Sequence, residues 1–219
     1  MIIEMILSGF LFLFILWSFF ASVAFGIKLG VDFDADDRLQ KINNDPKKFK
    51  ISILIALIEY VRVIALAVML FIAFSPFNLI LGIVWTTIRI GEGLICIYSE
   101  IDHWGLINIA REYSGSSGAK KNSLSDLART ILQTKNSRFE FAQFLFSIGT
   151  LAYSIVFVIS EVVPPIIGWL GIVASILTGF GSGIKLIKPN FKVVLAIGVL
   201  LLILFEVIIG GWLIFSSFL

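Results

Sequence analysis

Five ionisable residues, Glu59, Arg62, Arg89, Glu92 and Glu206, interrupt stretches of sequence that are otherwise apolar. A charge at the centre of a bilayer costs about 2.5–3.5 kcal/mol even on a lenient insertion scale, so these side chains must face protein or water. Glu59 and Arg62 are three residues apart, as are Arg89 and Glu92, which puts each pair on one helical face. Three Glu against two Arg leave a charge of −1 if all are ionised. A dry site does not hold an uncompensated charge, because desolvation disfavours the ionised form. Either one Glu is protonated at neutral pH, or a cation or cationic ligand group completes the site. Glu206 and Glu92 are the expected proton carriers, since Glu206 has no Arg at matched depth and Glu92 only a local one.

These residues need a scaffold, and composition names its kind. Of the 219 residues 58% are hydrophobic and 15% charged, too little polar surface to cover a water-facing globule. The apolar residues come in blocks of about 20 or more, the length that crosses a ~30 Å hydrocarbon core at 1.5 Å per residue. Six blocks qualify as spans, near 5–27, 51–74, 77–100, 139–161, 165–187 and 192–217. The expected fold is therefore all-α, one polytopic transmembrane helical bundle of about six spans. The N-terminal block has no basic n-region and is too long for a signal h-region, so a cleaved leader is not expected. Ser75-Pro76-Phe77-Asn78, Val163-Pro164-Pro165 and Lys188-Pro189-Asn190 read as short turns joining antiparallel neighbours.

Two longer segments, 28–50 and 101–138, read as loops. The second holds Leu124, Leu127, Ile131 and Leu132 on one helical face after the flexible Ser114-Gly115-Ser116-Ser117-Gly118. That pattern predicts a short amphipathic helix, lying on the membrane surface or docked under the bundle. Loops one and three and the 185–192 flank together carry 15 of the 17 Lys and Arg; Arg62 and Arg89 are the other two. With six spans these segments share one side, which the positive-inside rule makes cytoplasmic, so both termini point outward (N-out/C-out). The expected location is the cell membrane, multi-pass.

Counted from the cytoplasmic end, Glu59 and Arg89 lie roughly 12 Å deep, Arg62 roughly 16 Å, Glu206 roughly 20 Å and Glu92 roughly 8 Å. Glu59 is thus expected to meet Arg89 across spans, and Arg62 to reach toward Glu206. Behind them run rows of small and polar residues. These are Asn78, Gly82, Trp85, Cys96 and Ser99 in span three, and Glu140, Gln143, Ser147, Thr150 and Ser154 in span four. Gly168, Gly171, Ser175, Gly179 and Ser182 follow in span five, and Ser18, Ser22 and Gly26 in span one. Such rows are first of all helix-packing surfaces.

Several other patterns carry less. Asp32-x-Asp34-x-Asp36 begins like an EF-hand, but Asp37 stands where Gly is needed and Asn43 where a bidentate Glu is needed. Glu100, Asp102 and His103 could hold a metal, although a polar collar beside Trp104 is the better reading. Glycines 179, 181 and 183 follow no strand and form no phosphate loop. Cys96 is the only cysteine, so no intramolecular disulfide is possible.

Three stretches also carry a resemblance. They are Trp85-Thr86-Thr87-Ile88-Arg89-Ile90-Gly91-Glu92-Gly93, then Val163-Pro164-Pro165-Ile166-Ile167-Gly168-Trp169-Leu170-Gly171-Ile172-Val173-Ala174-Ser175, and Glu206-Val207-Ile208-Ile209-Gly210-Gly211-Trp212-Leu213. Over roughly residues 50–217 the chain resembles a multi-pass prokaryotic family, the domain of unknown function 4386. That family carries Arg-x-x-Glu on a middle span, a Pro-x-x-x-Gly turn, and Glu followed by Trp-Leu on the last span. Arg89, Glu92, Pro164, Gly168, Glu206, Trp212 and Leu213 match those positions, and the resemblance implies no activity.

The leading functional reading is a small transporter, permease or sensor. Its site of Glu59, Arg62, Arg89, Glu92 and Glu206 would bind a small ligand or relay a proton. The alternative is a structural or accessory subunit whose buried ion pairs only hold helices together. No nucleophile–base pair is visible, which disfavours an enzyme; no cofactor, metal or catalytic residue is expected. The expected partners are the lipid bilayer and a small ligand or proton, not nucleic acid, and protein partners stay open.

Overall fold

The computed structural model describes residues 2–24, 34–187 and 193–216. Those residues form an all-α bundle without strands. Its helices are α1 (Ile2–Ala24), α2 (Ala35–Asn44), α3 (Pro46–Phe74), α4 (Leu79–Trp104), α5 (Leu106–Ser114), α6 (Gly118–Ser160), α7 (Pro165–Ile187) and α8 (Val193–Phe215). Five stretches are long and apolar enough to cross a membrane, Pro46–Phe77, Leu79–Ser114, Gly118–Ser160, Pro165–Lys185 and Val193–Phe215. α1 holds a shorter apolar stretch over Ile2–Phe14. Apolar side chains such as Ile80 and Ile166 are 75% and 77% exposed, which suits a face turned to lipid and not to water.

Six helices close into a ring in the order α1, α3, α4, α6, α7, α8 and back to α1. Small residues set the closest approaches. A Cβ on Gly9 would lie 2.7 Å from the Gly210 carbonyl oxygen, and one on Gly198 would lie 2.6 Å from the Thr178 backbone nitrogen. Without water to drive association, helices in lipid depend on such backbone proximity. Large side chains fill the ring's interior, among them Phe12, Leu66, Leu70, Phe74, Trp85, Tyr153, Phe157 and Phe205.

Of the segments 28–50 and 101–138, expected as loops, the described residues, from Asp34 onward in the first, are largely helical and build a second core. Asp34 caps α2 by accepting the Asp36 N–H at 3.0 Å, and Asp45 caps α3 by accepting the Lys48 N–H at 2.8 Å. Asp32 lies outside the described residues, as do Gly26 and Lys188-Pro189-Asn190. Ala35, Leu39 and Ile42 of α2 pack with Phe49, Ile53, Leu106, Ile107, Ala110, Tyr113, Ala128 and Leu132. The amphipathic stretch 123–132 thus docks against α2 and α5 through Leu124, Ala128, Ile131 and Leu132, while Leu127 of the expected stripe is 49% exposed. It is also no separate helix. α6 runs unbroken for 43 residues into the fourth span, because the intervening Gln133–Arg138 offers polar side chains but no breaker.

Two devices end the long helices. Asn78 caps α4 by accepting the Leu81 N–H at 3.0 Å. α6 stops at Glu161 with φ 56°, a left-handed conformation that a non-glycine residue rarely adopts, just before Pro165 opens α7.

Candidate functional site

The five charges singled out from the sequence come from α3, α4 and α8, and each arginine is satisfied first by its own helix; a further pair, Lys185 of α7 with Glu140 of α6 at 3.0 Å, lies apart from them. Arg62, with 4% of its side chain exposed, donates from Nε to Glu59 Oε1 at 2.9 Å, and Nη2 donates to the same oxygen. Its remaining arm, Nη1, donates to the Leu11 carbonyl of α1 at 2.9 Å. Helical carbonyls keep a spare lone pair, and a guanidinium in a dry interior needs every acceptor it can reach. Arg89, 1% exposed, donates from Nη1 to Glu92 Oε2 at 2.7 Å. Its guanidinium lies 4.3 Å from the Phe146 ring centroid, a cation–π contact across to α6. The Arg89 stem passes over Gly149, where an added Cβ would come within 2.7 Å of both Cγ and Cδ.

The cross-helix pairing expected between Glu59 and Arg89 does not occur as a hydrogen bond. The i,i+3 spacing lets each Arg close on its helical neighbour with less side-chain reach. Glu206 is left over. It is 0% exposed, and neither carboxylate oxygen finds a hydrogen-bond partner among the described residues. Arg62 and Arg89 attract it and Glu59 repels it, so the five charges form one electrostatic unit. Glu59 Oε2 and Arg89 Nη2 are also buried without a partner among the described residues.

Sequence reasoning missed part of this wall. Tyr153 of α6 is 1% exposed and donates its hydroxyl to Thr150 Oγ1 at 3.0 Å. Its ring stacks on Phe205 at 6.3 Å, next to Glu206, and it interacts electrostatically with Arg89, Glu206 and Glu92. Thr150 stood in the polar row of span four, but the aromatic beside it gave no polar signal. The Leu11 carbonyl could not be read from side-chain types at all.

A second charged centre sits where α4 enters the basic end. Glu100 and His103 are 2% and 4% exposed. Lys135 of α6 brings its Nζ to 2.7 Å from Glu100 Oε1 and 2.7 Å from His103 Nδ1. An ammonium only donates, so the Lys135 contact uses Nδ1 as an acceptor, whereas Glu100 Oε2, 3.3 Å from the same Nδ1, would use it as a donor; the tautomer decides which partner this nitrogen serves. Asp102 turns away to pair with Arg138, so Lys135, a cation, takes the place beside Glu100 and His103 that a metal would need. The Phe49 ring packs edge-on against His103 at 4.9 Å, with Arg38 above it at 5.6 Å.

The match to known families extends beyond the segment the motifs suggested. The model of the domain of unknown function family DUF4386 matches residues 7–216. The chain belongs to the DUF4386 family. The matched region takes in α1 and the α2–α5 cap as well as the motif-bearing α4 and α8. No curated protein and no solved structure matches the chain.

Proposed function

We propose that this DUF4386 protein is a small transporter, permease or sensor of the cell membrane whose ring encloses a proton- or cation-accepting site. On this reading six helices span the bilayer, with the basic end and the α2–α5 cap in the cytoplasm. The observation that carries it is Glu206. Two Glu–Arg pairs neutralise themselves, and a third carboxylate stands fully buried with both oxygens unpartnered among the described residues. Burying such a group uncompensated costs far more than burying a polar group, so it takes up a proton or the cationic group of a small ligand.

Thermal melting of the purified protein from about pH 5 to 8, with and without Glu206→Gln, tests this. A site that exchanges a proton makes the wild-type melting temperature pH-dependent in a way the amide abolishes. Identical profiles for the two proteins would reject the reading. A thermal-shift screen of small cations and amines on the same pair then separates proton from ligand, since a true ligand stabilises wild type alone.

A second reading has its own support. Arg62 ties α3 to α1 through the Leu11 carbonyl, which is how a structural staple is built. If the Arg89→Gln/Glu92→Gln double variant regains full stability and every pH and ligand response persists, the charges are staples only.

A further inference from the structure

The two charged centres lie on one face of one helix. On α4 the residues Arg89, Glu92, Cys96, Ser99, Glu100 and His103 follow one another at intervals of three or four, apart from the adjacent Ser99 and Glu100, and all are buried, none more than 7% exposed. At 100° per residue they fall within an arc of roughly 100°, a continuous polar stripe along the helix. Stripes of this kind in membrane helices usually hold small packing residues. This one begins in a mid-membrane ion pair and ends in a Glu–His–Lys centre.

We propose that this face of α4 is a proton route. It would join the Glu100–His103–Lys135 centre at the basic end to the Glu92 and Glu206 carboxylates, with Ser99, Cys96 and Tyr60 lining the gap. The proposal deepens the proton reading above and rests on it. Glu92 and Glu100 are separated by about 12 Å of helix axis, too far for one transfer. The groups between them are suited to bridge it. Ser99 Oγ is buried with no hydrogen-bond partner among the described residues, the kind of hydroxyl that holds an ordered water. Tyr60 of α3 faces α4 between the two centres, its carbonyl 3.3 Å from where a Cβ on Gly93 would stand, and it is within electrostatic range of Cys96, Glu100, Glu59 and Glu92. Gly93 allows that approach, since a Cβ there would lie 2.6 Å from Ile64 Cγ1 and 3.3 Å from the Tyr60 carbonyl.

The chemistry balances without a co-reactant. In the tautomer whose Nδ1 accepts from Lys135, a proton passed along that 2.7 Å contact leaves a neutral amine and an imidazolium. The imidazolium gives the proton up from Nε2 toward the stripe, a carboxylate at the far end receives it, and the amine is recharged from the basic side. No electron moves. The charged groups that face His103 are Glu100 on its own helix, Lys135 from α6 and Arg38 from α2; α3 contributes the neutral Phe49.

Infrared difference spectroscopy after a pH jump, on the full chain in vesicles, tests the route. The carbonyl stretch of a protonated carboxyl should appear in wild type and vanish in Glu206→Gln or Glu92→Gln. Tyr60→Phe, Ser99→Ala and His103→Gln should slow its appearance by about a hundredfold while leaving its amplitude unchanged. Tyr60→Phe and Ser99→Ala remove one hydroxyl each and keep the fold testable if His103→Gln does not. If all folded variants protonate at the wild-type rate, the route is wrong and the buried acceptor still stands. If wild type shows no band that the carboxylate variants remove, the proton reading itself fails, and the route with it.

Discussion

Glu100 at the basic end and Glu206 in the ring are both carboxylates with almost no exposed surface, 2% and 0%. Their surroundings differ. Glu100 lies against a lysine from another helix and a histidine one turn on, inside a small core built of α2, α5 and the start of α6. Glu206 is near two arginines, yet each has closed on a glutamate of its own helix, leaving it without a hydrogen bond among the described residues. Full pairing fixes one conformation, whereas a buried carboxylate without a partner has a reason to change state. The basic-end carboxylate is thus paired from two sides, and the ring carboxylate has no hydrogen-bond partner among the described residues.

Cutting a pair on one side tests that contrast most severely. Arg89→Gln leaves Glu92 buried and alone, and should cost about 3–5 kcal/mol in detergent unfolding. Arg89→Gln/Glu92→Gln should recover most of that loss; a double variant no better than the sum of the singles would mean the pair does not couple. Leu39→Ala, in a fully buried cap position, should cost about 2–4 kcal/mol. Its damage should stay local, with faster hydrogen exchange in α2 and α5 and none in α7 and α8. Uniformly faster exchange would show that cap and ring melt as one unit. Gly149→Ala drives a methyl into the Arg89 stem and should cost about 1–3 kcal/mol. Gly91→Ala, which meets nothing within 4 Å, should instead gain up to about 1 kcal/mol of helix propensity.

The smallest effect is a pH response confined to the cap. The nearby Ser125 hydroxyl, and then Tyr113, hold the Asp36 carboxylate below its ordinary value of 3.8. A lowered carboxylate stabilises the fold above its unfolded value, and that contribution is lost as pH falls through the folded value. α2 should therefore loosen from α5 and α6 only below about pH 4, and Asp36→Asn should flatten the response. Loosening that sets in near pH 6 would assign it to a group other than Asp36.

Much of the scaffold was readable from hydrophobic block length, and the five ring charges stood out because lipid makes them costly. Their partners were not readable. Depth along a span places two residues at one level but says nothing of rotation, so Glu59 and Arg89 matched in depth and still bonded elsewhere. Lys135 was counted as one of the basic residues of a loop; only a continuous α6 carries it to Glu100. That continuity was hidden because residues 133–138 are polar, and polarity between two apolar segments looks like a linker. Leu39 and Ile42 gave a weak signal for the same reason, lying in a short helix crowded with Asp, Arg and Lys.

α6 has a mechanical consequence. Its 43 residues make a rod of about 65 Å, twice the hydrocarbon thickness. One end is gripped by the cap at Ala128, Leu132 and Lys135, and farther along Phe146, Gly149 and Tyr153 flank Arg89, Phe205 and Glu206. A tilt applied to the gripped end is delivered to the ring as leverage, with no joint to absorb it. A glycine pair placed at Ser137 and Arg138 would act as a universal joint, letting each end move without informing the other.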